Sequence, residues 1–403
     1  MYHCFSLYSF IPLPLYPSAI NSLTTGGKVA IVFPFRGLRY DKDVVGDLSR
    51  VVTQPYDKTT PSMQDAYYQR SPYNVVRVTL NLEKRQIPET DYSDAGSNFR
   101  QWVDQRVLVQ DSLPAIYSYY LEYEVDGSKK LQRGFIALLD LKNSASGIIP
   151  HEQTLAAPKQ DRLRLMRSIE GNEDLIYMLY PDEQRTVNRI MDKSIAGRTP
   201  EIEITDEYGA IHRLWAITDS VAMRGIQDEM QPRKLFIADG HHRFETSVNF
   251  MKECEQRGWQ PGAVESFDKR IIACFNITDG VTILPTHRLV RDLPAFDAKS
   301  FLRAAEKHFA VEAVPSASEL WEQMKEGLDD HVFGFYPADL RKFHLLRLNK
   351  KAQEPVDDLR RLDVSILHLM LLERCLGIDR EKLEAQAHVD YERERELCIR
   401  LVN

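Results

Sequence analysis

The sequence lacks the short motifs that mark the common nucleotide-binding and serine-hydrolase folds. It contains no GxxxxGK(S/T), no GxGxxG after a predicted strand, no GxSxG and no HRD-type loop. These patterns hold phosphates in P-loop proteins, Rossmann folds and kinases, or place a nucleophilic serine on a sharp turn. Their absence excludes these arrangements, so any nucleotide bound by this chain must be held in another way.

Cysteine is scarce, and long apolar runs are missing. The chain has five cysteines among 403 residues, widely scattered and never in a CxxC spacing. This pattern is typical of reduced thiols in the cytoplasm and argues against disulfides or a structural zinc site. No stretch beyond residue 27 reaches the roughly 18 apolar residues that a membrane helix needs. We therefore expect a cytoplasmic protein that does not span a membrane.

Excess positive charge is also missing. The formal net charge is −7, so a surface built for duplex DNA is not expected. By contrast, 43% of the residues are hydrophobic, which at this length is enough for two domains or for one large domain with an appendage. These values predict a globular protein for which duplex DNA is an unsuitable partner.

We predict three regions along the chain. Residues 1–27 contain no Asp, Glu, Lys or Arg, and we expect this leader to be disordered or to result from an upstream start codon chosen in error. The alternative is a weak export or lipid-interaction segment, although the leader lacks the positive start of a secretory signal. Residues 28–295 form the expected core, and residues 296–403 form a smaller C-terminal α/β portion.

The spacing of apolar residues predicts an α+β fold, with a mixed sheet, antiparallel hairpins and packed helices. Residues 116–125 alternate strictly and are followed by a turn at Gly127, which predicts an antiparallel hairpin with residues 134–139. The run from Tyr73 to Val78 predicts another strand. Residues 235–239 predict a buried strand that ends in a tight turn and opens a helix.

The most informative stretch is Asp239-Gly240-His241-His242-Arg243, at the end of that strand. Gly240 supplies the backbone freedom that a tight turn needs. Two histidines and an arginine then occupy the first helical turn, where unpaired N–H groups and the helix dipole favour an anion. We predict a phosphate-sized ligand there, with Arg243 partly facing solvent. An ordinary strand–helix junction is the alternative.

A second group of ionisable residues follows another predicted strand end. His151 and Glu152 lie there, where a carboxylate beside an imidazole can act as a general base or a metal ligand. Asp161, Arg162 and Arg164 then open a predicted helix. The alternative is a solvated basic helix with ion pairs between residues three apart.

Two weaker clusters complete the candidates. His287 and Arg288 follow a proline turn, and they gain weight only if the fold brings them beside the strand–turn–helix motif. Asp57, Asn74 and Arg77 are candidates for lining a substrate cleft, together with the histidine at position 151. The alternative is turn chemistry for Asp57 and Asn74 and a surface ion pair for Arg77.

Taken together, these motifs resemble those of the bacterial and archaeal family catalogued as domain of unknown function 1015, often labelled ParB-like. The matching segments are residues 34–38, 55–57, 72–77, 151–154, 158–163, 238–246 and 284–288. The resemblance covers nearly the whole chain from Lys28 onward. The family normally continues past this C-terminus, so the resemblance implies a truncated C-terminal portion.

The Asp-Gly-His-His-Arg element is also similar to the phosphate-handling motif of the wider ParB/sulfiredoxin superfamily. That superfamily includes CTP-binding partition proteins, ATP-using sulfiredoxins and free-serine kinases. The resemblance implies a ParB/sulfiredoxin-like core that holds nucleotide phosphates at residues 240–243. It does not identify the substrate.

The leading hypothesis is a phosphotransferase that uses ATP or ADP, or alternatively CTP, together with Mg²⁺. Its acceptor would be a small hydroxylated metabolite, for which a serine-like molecule is one option. The catalytic candidates are Glu152 as general base, Asp239 as metal or ribose contact, and His242. The candidates for phosphate or nucleotide contact are Gly240, His241, His242, Arg243, Arg162, His287 and Arg288.

Two other classes of function stay open. A nucleotide-switched binding protein would close a homodimer around CTP or ATP without modifying a metabolite. A metal-dependent phosphohydrolase would use His241, His242, His287 and Glu152 as ligands.

Overall fold

The computed structural model describes residues 2–7, 30–82, 87, 89–125, 127–150, 156–282, 287–294, 296–327, 330–349, 363–379, 382, 388–392 and 394–403. The chain divides into two compact units. We call Ser22–Val281 the central unit, and Met1–Asn21 together with Thr282–Asn403 the terminal unit. The division therefore falls between residues 281 and 282, whereas the sequence analysis placed the boundary between residues 295 and 296.

Strands are numbered along the chain. They are β1 (Tyr2–Leu7), β2 (Val32–Phe33), β3 (Leu38–Tyr40), β4 (Leu108–Gln110), β5 (Ile116–Val125), β6 (Ser128–Asp140), β7 (Ile148–Ile149), β8 (Ile176–Tyr180), β9 (Ile202–Thr205), β10 (Ile211–Ile217), β11 (Leu235–Asp239), β12 (Lys269–Asn276), β13 (His287–Arg291), β14 (Phe309–Val314), β15 (Val332–Pro337), β16 (Phe343–Leu348) and β17 (Val389–Glu392).

Helices are numbered in the same way. They are α1 (Lys42–Val45), α2 (Pro61–Arg70), α3 (Val76–Thr79), α4 (Ser93–Asp104), α5 (Ala156–Ile169), α6 (Thr186–Ile195), α7 (Ser220–Met230), α8 (His241–Gln256), α9 (Ala298–Ala305), α10 (Ala317–Glu326), α11 (Asp363–Ile366), α12 (Arg374–Leu376) and α13 (Arg395–Val402), with a π-helical turn at Leu367–Glu373 between α11 and α12. None of the helices in the described part of the chain combines the length and the apolar character that a bilayer crossing requires.

The central unit is built on a nine-stranded mixed sheet, in the order β7-β11-β8-β12-β6-β5-β10-β9, with β2 added beside β6. β11 pairs with β7, and β12 with β8, in parallel, while the other pairs are antiparallel. The α+β class with a mixed sheet is thereby confirmed. The predicted hairpin is also confirmed, because β5 and β6 pair directly across Gly127, whose φ is 72°.

The two faces of this sheet carry different cores. On one face, the side chains of Ile116, Phe135 and Ile272 belong to a cluster that also contains Met191 of α6 and Met230 of α7. The alternate residues of the same strands point to the opposite face, because side chains alternate along a strand. Tyr117 and Leu138 lie in this second cluster, together with Phe35.

The terminal unit contains a six-stranded antiparallel sheet, in the order β14-β16-β15-β1-β13-β17. Its buried cluster includes Phe301, Phe333, Leu346 and Leu371. β1 lies between β15 and β13 in this sheet. Part of the leader is therefore a paired strand, whereas disorder was one of the two expectations for this segment; the other, a start codon chosen in error, stays a prediction.

The predicted strand from Tyr73 to Val78 is wrong, because its second half forms the short helix α3. Asn74 precedes the helix and is fully buried. Its side-chain nitrogen donates to the carbonyl oxygens of Arg50 and Val52, at 2.8 and 3.2 Å. Its side-chain oxygen accepts the N–H of Val76 at 3.0 Å. These bonds stabilise a turn at Asn74, and this local arrangement overrides the strand propensity of the valines.

We predict that Gly134→Ala destabilises the central unit by about 2 kcal/mol, the cost typical of forcing extra atoms into a packed core. Gly134 lies opposite Phe275 in the β6–β12 pair. An ideal Cβ at Gly134 would lie 2.5 Å from the carbonyl oxygen of Cys274 and 2.5 Å from the ring of Phe275. Urea unfolding followed by circular dichroism measures the loss.

The matched control is Gly262→Ala. An ideal Cβ at Gly262 meets no atom within 4 Å, so this variant should unfold within about 0.5 kcal/mol of the wild type. Equal midpoints for the two variants would contradict the close β6–β12 approach described here.

Candidate functional site

The candidate site begins where β11 ends. Leu235 and Ile237 of this strand are buried in the core, whereas Asp239 at its end is exposed. Gly240 follows with a φ of 96°, a left-handed conformation that residues with side chains rarely adopt. α8 begins at the next residue, and its glycine N-cap offers no side-chain hydrogen bond to the first turn. The predicted strand–turn–helix is confirmed.

The guanidinium of Arg243 folds back from the first turn of α8 against Gly240. Its Nη1 lies 2.9 Å from Oδ1 of Asp174 and also donates to the carbonyl oxygen of Leu175. Its Nη2 donates to the carboxylate of Asp239. The residue is 6% exposed. The expectation that Arg243 partly faces solvent was therefore wrong, because the side chain is turned inward by acceptors that lie far away in the sequence.

The positive charge of Arg243 is balanced by carboxylates of the protein itself. Burial opposes this charge, but the carboxylates of Asp174 and Asp239 outweigh burial and hold the pKa of the guanidinium above its usual value. The Asp239 side chain remains 57% exposed. Arg243 thus fixes the accessible carboxylate of Asp239 at the end of β11. The guanidinium of Arg243 is not itself available to bind an anion.

The two histidines of the motif differ in their access to solvent. His241 is 4% exposed, so its imidazole faces the interior. His242 is half-buried. Of the two predicted imidazole contacts, the side chain of His242 is therefore the accessible one.

Arg162 is also enclosed by the protein. Its terminal nitrogens donate to Asp161 at 2.7 Å, to the carbonyl oxygen of Thr79 at 2.8 Å and to the hydroxyl of Tyr92 at 2.8 Å. Its guanidinium carbon lies 4.2 Å from the centre of the Tyr56 ring. With 3% exposure, Arg162 holds α5 in place, and its predicted place in an anion pocket is not supported by these contacts.

Three of the sequence motifs nevertheless meet in the central unit. Tyr56 stacks on Arg162, and the charges of both Arg162 and Arg243 act on the Tyr56 phenol, whose pKa is raised mainly by burial. Asp57 is exposed, and its charge contributes to the raised pKa of Arg243. The loop at residues 55–57, the middle of α5 and the start of α8 therefore surround one charged cluster.

The sequence analysis missed the residues that complete this cluster. Asp174, between α5 and β8, pairs with the arginine of α8. Arg270 of β12 is 1% exposed and donates to Oδ1 of Asn172 and to the carbonyl oxygen of Asp174, each at 2.7 Å. In the sequence, the signal for this cluster was the acidic pair Glu173-Asp174 just before the apolar residues of β8. Arg270 gave no signal, because a single charge at the start of an apolar strand does not reveal its partner.

The part of the chain that matches a known protein family extends beyond the central unit. The family described as Protein of unknown function (DUF1015) matches residues 32–365. The chain belongs to this family. No curated protein and no solved structure matches the chain at a significant level.

The DUF1015 match includes every candidate residue of the sequence analysis. Two of these candidates, His151 and Glu152, lie outside the described residues. Two others, His287 and Arg288, belong to β13 of the terminal unit. There His287 is fully buried, with its ring centre 6.0 Å from that of Trp321, and burial lowers its pKa to about 4. Their place in an anion pocket stays a prediction.

Two predicted cleft residues of the DUF1015 region have structural contacts. Asn74 is fully buried and stabilises the turn before α3, so these contacts do not support its predicted place in a cleft. Arg77 donates to the carbonyl oxygen of Tyr68 at 2.9 Å, and its guanidinium carbon lies 4.3 Å from the centre of the Tyr68 ring. Asp57 is the member of this group that is both exposed and close to the charged cluster.

Metal-ligating side chains are not gathered in the described part of the DUF1015 region. No group of three or more His, Cys, Asp or Glu residues among the described residues is arranged to hold a metal ion. Cys254, Cys274, Cys375 and Cys398 are free thiols. The described residues therefore offer no protein-only cage of the kind that a zinc phosphohydrolase uses.

We predict that Arg243→Ala lowers the free energy of unfolding by about 3 kcal/mol, because removing one partner of a buried ion pair leaves the others unpaired. Asp174 and the carbonyl oxygen of Leu175 would lose their donor. Thermal and urea unfolding of the purified variant measure the effect.

Arg257→Ala, at the residue that follows the C-terminal end of α8, is the matched control. Its side chain is 56% exposed, and its nearest carboxylate, in Glu253, is 4.0 Å away, so its loss should cost less than about 0.5 kcal/mol. If Arg243→Ala unfolded like this control, the buried network described above would be refuted.

Proposed function

We propose that the central unit binds a nucleotide through its phosphates at the start of α8 and transfers a phosphoryl group to a hydroxyl of a small metabolite. The observation that carries this proposal is the exposed carboxylate of Asp239, which Arg243 fixes beside the first turn of α8. The N–H groups of a helix start attract phosphate. A carboxylate at the same place can carry the metal ion that phosphates require.

The buried arginines act as positioning residues in this proposal. Because Arg243 and Arg162 already satisfy several acceptors, a phosphate would have to break these bonds to reach them. The phosphate contacts therefore come from the backbone N–H groups after Gly240 and from the side chain of His242. This assignment keeps the predicted location and changes the atoms that make the contact.

Asp239 and Asp57 suit a magnesium ion. Both carboxylates are exposed, and both act on the charge of Arg243. Mg²⁺ is usually held by one or two carboxylates together with substrate phosphates, so a cage of three protein ligands is not needed. When bound, the ion would offset the negative charge of the phosphates.

The acceptor side of the reaction rests on the sequence. The similarity of the Asp-Gly-His-His-Arg element to the ParB/sulfiredoxin superfamily supports ATP, ADP or CTP as donor and a serine-like metabolite as acceptor. Glu152 is the proposed general base, since a carboxylate within hydrogen-bond reach can accept the proton of an attacking hydroxyl. The second candidate from the sequence, a nucleotide-dependent switch, would share the same phosphate contacts.

Nucleotide binding is the first expectation to measure. Isothermal titration calorimetry of the full chain with ATP, ADP and CTP, each in the presence of Mg²⁺, should give binding with at least one of them. Omission of Mg²⁺ should weaken binding, because phosphate charge would then be unbalanced. No heat with any of the three nucleotides would overturn the proposal, and binding of CTP that drives dimerisation without transfer would replace it by the switch.

We further predict that Asp239→Asn lowers Mg²⁺-dependent phosphoryl transfer by about 100-fold or more, the scale seen when one preorganised electrostatic contact is removed. The fold should persist, because Asn keeps an acceptor for Arg243 and the position is largely exposed. Transfer from radiolabelled nucleotide to candidate hydroxylated acceptors measures activity, and thermal unfolding measures the fold.

Asp228→Asn provides the same charge change at an exposed position of α7. It should leave transfer within about twofold of the wild type. A loss of activity common to both variants would point to net charge and would contradict a local role for Asp239.

A further inference from the structure

A cavity of about 690 Å³ lies in the central unit. Tyr117, Leu138 and Ile271 of the nine-stranded sheet form one wall, on the face opposite to α6 and α7. This volume falls in the range of sites that enclose small organic molecules. The cavity is separate from the exposed carboxylate of Asp239, which is not among the residues that line it.

The wall that faces the sheet is also largely apolar. It includes Trp102 of α4, Met166 of α5 and Phe250 of α8, together with Trp259 beyond α8. Aromatic and aliphatic walls of this kind favour an occupant with an apolar body, because its transfer from water removes apolar surface on both sides.

Most of the charged residues in the wall are already paired within the protein. Arg36 contacts Glu265 at 3.2 Å, and Lys269 contacts Asp268 at 2.6 Å. Arg39 donates to a partner outside the wall, Asp111, at 2.9 Å. These pairs neutralise the cations of the lining, so an anionic ligand would find no spare cation among these three residues.

Glu173 differs from these residues because one of its oxygens accepts no hydrogen bond, although the charges of Arg270 and Arg162 act on it. It lines the cavity, and its Oε2 atom is buried without any hydrogen-bond partner. A buried acceptor without a donor costs about 1–3 kcal/mol, and a ligand that donates to it removes this cost. Glu170, which also lines the cavity, adds a second negative charge at an exposed position.

The residues on both sides of Glu173 are held by buried arginines. Arg270 binds the side chain of Asn172 and the carbonyl oxygen of Asp174, each at 2.7 Å. Arg243 binds the carboxylate of Asp174 at 2.9 Å. Since these bonds exist before any ligand arrives, the residues on both sides of Glu173 are positioned in advance, which reduces the entropic cost of binding.

We propose that this cavity binds a small, largely apolar amine, whose ammonium group donates a hydrogen bond to the carboxylate of Glu173. The apolar body contacts the sheet wall and the aromatic side chains that face it. This site does not depend on the proposed phosphoryl transfer, because none of its contacts involves the start of α8.

Three probes that share one phenylbutyl body test the proposal on the full chain. Phenylbutylamine carries N–H donors and a positive charge, its trimethylammonium analogue carries the charge alone, and phenylbutyrate carries a negative charge. Calorimetry should show that the amine binds about tenfold more tightly than either of the others, the factor expected for one charge-assisted hydrogen bond. Quenching of tryptophan fluorescence gives a second readout, because Trp102 and Trp259 lie in the wall.

Variants of the wall assign the contact. Glu173→Gln keeps the size of the side chain and should reduce the preference for the amine to about twofold or less. Glu170→Gln makes the same change at the exposed position and should leave the tenfold preference intact. Ile204→Trp on the edge strand β9 narrows the cavity and should weaken the amine about tenfold or more, with thermal unfolding as the check on its fold.

Any one of the following results would overturn the inference. Failure of all three probes to bind means that the cavity is closed to ligands of this class. Equal binding of the amine and its trimethylammonium analogue would show that no hydrogen bond to the ammonium group is made. Tighter binding of phenylbutyrate would show that the site prefers an anion. An unchanged preference in Glu173→Gln would assign the contact to another residue.

Discussion

A buried guanidinium joins three separate parts of the chain in the central unit. Arg243 belongs to the first turn of α8, and it binds Asp239 at the end of β11 and Asp174 before β8. Because β11 and β8 are neighbouring strands, this one side chain fixes the distance between the strand end, the helix start and the intervening segment. The accessible carboxylate of Asp239 and the rigid position of Glu173 both follow from it. The proposed nucleotide contact and the proposed amine site therefore share one electrostatic foundation.

The cost of burying these charges explains why they are so completely paired. Removing a charge from water is unfavourable unless other charges and hydrogen bonds replace the solvent. Arg162, Arg243 and Arg270 are each at most 6% exposed, and each contacts at least one backbone carbonyl oxygen. A buried network of this type contributes little net stability compared with an apolar core of equal volume. Its effect is to permit a single arrangement of the loops, since any other arrangement would leave a buried charge without a partner.

The sequence predicted the elements better than the directions of their side chains. Alternation identified the hairpin of β5 and β6, and the Asp239-Gly240 turn identified the junction before α8, because both depend on neighbours along the chain. The strand predicted at Val76 failed because Asn74 uses carbonyl groups from another loop. Arg243 was placed on the correct turn and given the wrong direction, because its acceptor Asp174 lies about seventy residues earlier and no local pattern encodes that pairing. The convergence of three motifs was likewise a tertiary fact that spacing alone does not contain.

The choice of arginine at these positions follows from geometry and from protonation. Arg270 reaches two acceptors, Oδ1 of Asn172 and the carbonyl oxygen of Asp174, with two different terminal nitrogens. A planar guanidinium presents these donors in a fixed fork, whereas the ammonium of lysine is a single point with rotating donors. Burial also lowers the pKa of Arg270, and a lysine would begin from a value about two units lower. The same burial would therefore favour a neutral lysine, which would remove the positive charge that Arg270 places near Glu173. Only arginine keeps both the charge and the two directed bonds, so the wall that carries Glu173 depends on the identity of this side chain and not only on its charge.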